Sequence, residues 1–336
     1  MPITINGTSG VSLAGQFDSA SSFGFKNRII NGQMQIAQRA TSATITAGST
    51  IAAGYSTVDR FYVYCTGANV TAAQVAGSGA IKNNLQITGA ASVTAIGVGQ
   101  RIESLNSYDM AGSTATLSVN LANSLLTTVT WTASYATTTA DTFGTLAAPT
   151  VTQIATGSFT VTSTLTNYST QITIPAAATT GLQIVFTVGA QVSGTWTIGN
   201  VQLEKSSIAT SFDYRPYGAE LALAQRYYFR AQADDTSYLF GVGGARSTTE
   251  ATFVGNYPVP MRISPTALEQ NGTAAHYTVQ TGGVDRSSSA VVAYNGITTQ
   301  QLYAITTTVA SGQTAGQAGF VYGQNLTAYL GWSAEL

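Results

Sequence analysis

Charge is what this chain lacks most. Only 8% of its 336 residues are Asp, Glu, Lys or Arg, against about 25% in ordinary globular proteins. Net charge is −1, and lysine occurs only at Lys26, Lys82 and Lys205. That excludes the basic footprint by which proteins hold nucleic acid or anionic membrane surfaces. A single cysteine, Cys65, excludes an internal disulfide framework and a cysteine-based zinc cluster. A single histidine, His276, excludes a multi-histidine metal site. No apolar run reaches the ~18 residues of a transmembrane helix. The start, MPITINGTSGVSLAGQ, lacks the basic-then-apolar order of a signal peptide. The expectation is a protein made in a cytoplasm, with no cofactor, no metal, no nucleic-acid partner and no membrane insertion.

What fills the gap is Thr, Ser, Ala and Gly, beside an ordinary 44% of apolar residues. A surface solvated by hydroxyls, with Thr-rich alternation, suits β structure meant to assemble. Residues 1–24 are polar and Gly/Ser-rich, with one short strand in ITING and Asn6-Gly7 as a turn. They read either as a disordered tail or as an arm that orders against a partner protein. From Phe25 onward, short strands follow at the spacing of a sandwich. Candidates are YSTVDRFYVYCTG, NNLQITG, SVTAIGVGQRIE, TATLSVNLA, TTVTWTASYAT, GSFTVTSTLT, STQITIP, GLQIVFTVGA and TWTIGNVQLEK. In the first, alternation from Asp59 puts Phe61, Val63 and Cys65 on one face and Arg60, Tyr62 and Tyr64 on the other. Asp59 and Arg60 are expected to be paired at the strand entrance in a structural role. No helices interrupt this region, which argues for antiparallel sheets packed face to face.

The pattern breaks at SIATSFDYRPYGAELALAQRYYFR. Pro216 suits a first helical turn, Ser211 or Asp213 is placed to cap it, and Glu220 sits where the helix dipole favours an anion. Tyr217, Leu221, Ala224 and Tyr228 fall on one arc, widened by Tyr227, with Arg226 and Arg230 opposite. β character then returns in TSYLFGVGG, TEATFVGNYPVPMR, AAHYTVQTG, AVVAYNG, QQLYAITTTV, GQAGFVYGQN and TAYLGWSAEL. The expected organisation is an arm (1–24), a sandwich domain (25–214), a helix (215–231) and a C-terminal β domain (232–336).

Three stretches carry a resemblance to bacteriophage and prophage tail-fibre proteins. FKNRIINGQMQIAQR…YSTVDRFYVY resembles an "NRIINGDMRIDQR…YTVDRW" start. VQLEKSSIATSFDYRPYGAELALAQRYY resembles a "VQLEKGSVATPFEYRPYGEELALCQRYY" junction nearly position by position, with Ala224 in place of the Cys. NYPVPMRISPT resembles an "FPVPMRATPT" segment. MPITINGTSGV is also similar to the virion-proximal start of several phage fibres. The resemblance implies an all-β protein: a jelly-roll domain similar to galactose-binding-like carbohydrate modules, a junction helix, and a distal β-sandwich-like domain. It also implies a homotrimer carried on a virion, attached to other virion proteins through its arm.

Catalytic signals are weak. A glycan-cleaving enzyme needs two carboxylates at fixed separation, and the adjacent pair Asp234-Asp235 reads as a solvated loop. A Ser-His-Asp triad would have to use His276, in a strand-like context. GVGGARSTT lacks the lysine of a phosphate-binding loop. Sugar recognition needs aromatic faces beside amides and hydroxyls, which 17 Tyr and 3 Trp supply. Trp131 and Trp196 are assigned to the first core. Tyr294, Tyr303, Tyr322, Tyr329 and Trp332 are the candidates for an exposed, glycan-contacting aromatic surface. Tyr217, Leu221, Ala224, Tyr227 and Tyr228 are the candidates for structural packing at the junction. The expected function is a non-catalytic fibre or receptor-binding protein that holds a bacterial surface glycan. The alternatives are a capsid or baseplate decoration protein without a receptor, and a surface-glycan depolymerase.

Overall fold

The structure is a computed structural model. It describes residues 4–6, 10–12, 25–48, 52–79, 81–145 and 148–336. Most of the expected arm at 1–24 therefore lies outside the described residues. Within it, Thr4–Asn6 (β1) and Gly10–Ser12 (β2) pair antiparallel. The chain divides into two compact units, Met1–Glu220 with Leu336, and Leu221–Glu335.

The first unit is a jelly-roll sandwich. Its strands are β3 (Ser42–Ile45), β4 (Ala52–Gly54), β5 (Tyr62–Thr66), β6 (Val70–Ala76), β7 (Asn83–Thr88) and β8 (Ala95–Ile102). They continue with β9 (Thr114–Asn123), β10 (Thr128–Ala136), β11 (Val151–Thr160), β12 (Thr166–Thr173), β13 (Leu182–Val188) and β14 (Thr195–Glu204). One six-stranded sheet runs β11-β10-β13-β8-β5-β4 and the other β12-β9-β14-β7-β6-β3. Alternation decides which side chains meet between them. Leu182, Ile184, Phe186 and Val188 all face the core of β13, as do Trp131 and Trp196 on β10 and β14. Each such buried side chain contributes about 1.5–3 kcal/mol. The strand expected to begin at Asp59 begins instead at Tyr62. Arg60 holds φ 71° in the turn before it, which breaks the extended run while leaving Val63 and Cys65 in the core. Asp59 is buried and accepts the Gln38 backbone N–H at 3.0 Å. Burial pushes its carboxyl up, against the Gln38 hydrogen bonds and the Arg39 charge.

Two remote stretches close this unit. Beyond Ile198, β14 carries a bulge between Gly199 and Gln202 and no longer pairs with β7. Asn27 fills the gap. Its Oδ1 accepts the N–H groups of Ile29 at 2.9 Å and Leu203 at 3.0 Å, and its Nδ2 donates to the Val201 carbonyl at 3.0 Å. Gly32 lies so close that a Cβ there would sit 2.1 Å from the Val201 carbonyl oxygen. Glu220 accepts the Asn31 N–H and pairs with Arg215 at 3.2 Å, both side chains being less than a tenth exposed. Arg215 in turn donates to the Ile29 carbonyl at 3.2 Å. Asp213, expected as a helix cap, accepts the Asn27 N–H instead.

The helix α1 spans Tyr217–Gln225, immediately after Pro216, with Glu220 in its first turn. It is shorter than expected. Tyr228, assigned to the helical arc, opens strand β15 (Tyr228–Gln232), where it faces Ser333. The cross-strand ladder outcompetes a weak helical signal. Of the expected packing residues, Tyr217 is 59% exposed and Leu221 half-buried, whereas Ala224, Tyr227 and Tyr228 are fully buried.

In the second unit, β16 (Leu239–Ala245), β17 (Glu250–Asn256), β18 (Glu269–Gln270), β19 (Tyr277–Thr281) and β20 (Val284–Ser287) follow. The last strands are β21 (Ala293–Tyr294), β22 (Leu302–Thr308), β23 (Ala318–Gly323) and β24 (Tyr329–Ser333). They build a seven-stranded sheet, β20-β19-β23-β16-β17-β22-β21, and a three-stranded one, β15-β24-β18. Both contribute to one core, centred on Phe240, Phe253, Tyr277, Ile305, Val321, Leu330 and Trp332.

Candidate functional site

The aromatic residues singled out in the sequence do not form one surface. Trp332 is fully buried, and Tyr303 stacks on it with ring centroids 4.1 Å apart. The Tyr303 hydroxyl donates to the Phe240 carbonyl at 2.9 Å. Both are core residues, and their assignment to an exposed contact surface is corrected. They share a parity with Ile305 and Leu330, so the pleat carries them inward. Tyr329 is half-buried with the Arg230 guanidinium 3.5 Å over its ring. Tyr294 donates to the Pro265 carbonyl at 2.9 Å, at the edge strand of the large sheet. Of the five, Tyr322 lines a groove.

That groove is built by three adjacent strands. β23 pairs with β16 on one side and β19 on the other. Its alternation sends Val321 into the core and Phe320 and Tyr322 to the opposite face. Register then fixes their neighbours: Gln280 and Val242 flank Phe320, and Thr278 and Leu239 flank Tyr322. Glycine is required within β16 next to β17: a Cβ at Gly243 would sit 2.0 Å from the Thr252 carbonyl oxygen. The result is a pocket of about 470 Å³ lined by Ser237, Leu239, Gln280, Phe320 and Tyr322, within the size range of ligand sites. Leu239 is 52% and Val242 53% exposed. The Phe320 and Tyr322 rings lie 5.9 Å apart, tilted by 47°. Gln280 Nε2 donates to Asp285 Oδ1 at 2.9 Å. At the other end the Ser237 N–H donates to the Asp235 carboxylate. Burial, then the nearby Asp285 charge, push the Tyr322 phenol above its ordinary value, so it remains a neutral hydroxyl. Apolar ring faces thus stand beside an amide, a phenol and a serine.

Phe320, Leu239, Gln280 and Ser237 were missed in the sequence. The signal was the alternation Phe320–Val321–Tyr322, which puts both rings on one face; which face stays open is set by the other sheet.

His276 Nδ1 lies 2.6 Å from Asn271 Nδ2 and 3.2 Å from the Thr327 hydroxyl. Asp234 and Asp235 are exposed. Cys65 is buried and its thiol is pushed up by that burial. Among the described residues, no group of three or more His, Cys, Asp or Glu is placed to hold a metal ion, and no helix is long and apolar enough to cross a membrane.

No family model and no curated protein matches the chain. Solved structures do show similarity. The enzymatically active domain of tailspike protein 4 of bacteriophage CBA120 matches at 15% identity and TM-score 0.32, over 53% of this chain and 21% of that one. This chain therefore spans about a fifth of that protein. A CBM4 structure matches at 14% identity and TM-score 0.31, over 52% of this chain and 98% of that one. A family 61 carbohydrate-binding module, TmCBM61, solved with β-1,4-galactotriose, matches at 10% identity and TM-score 0.32, over 54% and 99%.

Proposed function

We propose that the chain is a non-catalytic, glycan-binding virion protein of the tail-fibre type, and that the groove on the second unit is its contact surface. One observation carries the reading: Phe320 and Tyr322 stand side by side in a 470 Å³ groove with Gln280 and Ser237. A pyranose offers apolar C–H faces and equatorial hydroxyls, and binding it needs ring faces and polar groups together. The sequence resemblance supplies the biological setting, a homotrimer attached to the particle through residues 1–24 and binding a host-cell glycan.

The test is binding of the full chain to polysaccharide purified from host cell surfaces, with Tyr322→Ala beside it. Wild-type binding weakened about tenfold in the variant, or by about 1.4 kcal/mol, supports the groove. Release of reducing ends from the same polysaccharide would make the protein a depolymerase instead. A wild-type chain that leaves host cells unlabelled, with density on the phage head in particle images, would make it a decoration protein. A monodisperse monomer by light scattering would remove the trimer.

A further inference from the structure

The groove's charge is one-sided. Asp285 holds Gln280 at one end, 2.9 Å from its amide nitrogen, and adjoins the Tyr322 hydroxyl. Asp235 binds the backbone N–H of the lining residue Ser237 at the other end, with Asp234 beside it in sequence. No basic side chain is among the lining residues. Arg286 follows Asp285 in β20, but strand alternation turns it away. Its guanidinium donates to the Thr281 carbonyl at 3.3 Å and hydroxyl at 3.2 Å, on the core-facing side of β19. Asp285 is exposed, so its carboxylate stands at the solvent-facing rim of the groove.

Resting on the glycan reading above, we propose that Asp285 makes this groove prefer uncharged glycans over acidic ones. An ionised carboxylate accepts hydrogen bonds from sugar hydroxyls without needing a donor partner. It repels a hexuronate carboxylate or a phosphate at the same position. At about 6 Å and an effective dielectric constant of about 40–80, the repulsion lowers affinity roughly three- to tenfold. Because the site is open to solvent, it fades as the screening length falls from about 10 Å at 0.1 M salt to about 3 Å at 1 M.

The experiment presents full-length protein with an array of neutral hexose and N-acetylhexosamine oligosaccharides beside hexuronate oligosaccharides, at 20 mM and 1 M sodium chloride. Wild type, Asp285→Asn and Phe320→Ala are compared. Expected are wild-type affinities roughly three- to tenfold weaker for hexuronates than for neutral probes at low salt, and a gain of the same size on hexuronates in Asp285→Asn. That gain should vanish at 1 M salt, while neutral binding is unmoved by salt. Neutral and acidic probes bound alike by wild type, both lost in Phe320→Ala, would keep the glycan reading and overturn the selectivity. Unchanged hexuronate binding in Asp285→Asn would also overturn it. Absence of binding to every probe overturns the glycan reading, and the selectivity with it.

Discussion

Replacing Asn27 by Ala removes three hydrogen bonds from the interior of the first unit. The side chain is 4% exposed, and its partners, the N–H groups of Ile29 and Leu203 and the carbonyl of Val201, lie at 2.9–3.0 Å. All three bonds are buried, and two of them span 174 and 176 residues of sequence. At about 1–1.5 kcal/mol for each buried polar group left unpaired, the loss is about 3–5 kcal/mol. A unit of this size shifts its melting midpoint by about 2–4 °C per kcal/mol. The expected fall is therefore on the order of 10 °C, read by calorimetry on the full chain. The control is Asn167→Ala. That side chain is exposed and makes one bond, to Asn120 Oδ1 at 2.9 Å, so its expected loss is under about 1 kcal/mol. If Asn27→Ala melts within a degree of wild type, or no lower than Asn167→Ala, then Asn27 does not close the β14 bulge and the reasoning fails. If it behaves as expected, the NRIING and VQLEK stretches that carry the tail-fibre resemblance are bound to each other as structure.

Two further outcomes follow from burial. Trp332→Ala should cost about 3–5 kcal/mol and lower the transition of the second unit while leaving that of the first in place; unchanged melting would contradict its central position against Tyr303 and Phe229. Cys65 should resist thiol reagents at pH 8, because burial pushes its thiol up and encloses it, and should react stoichiometrically once urea unfolds the chain. Rapid labelling of the native protein would show the β5 face to be open.

Strand identity was legible in the chain itself. Period-two alternation and Gly or Asn turns marked most of the strands of both units, and parity put Leu182, Ile184, Phe186 and Val188 on one face, which is the face that holds the core. Parity has a limit: it sorts side chains into two faces without saying which face is covered. Tyr303, Trp332 and Tyr322 all read as alternating aromatics, yet two are core and one lines the groove, because the three-stranded sheet covers one side of the seven-stranded sheet and leaves the other open. Tyr228 fitted a helical arc and became a strand residue once Ser333, over a hundred positions away, offered a ladder partner. The Asn27–Val201 closure and the Asp285–Gln280 rim are likewise set by register and by a strand bulge. The local sequence encoded the elements and their two faces; long-range pairing alone chose the face that holds a core and the face that can hold a ligand.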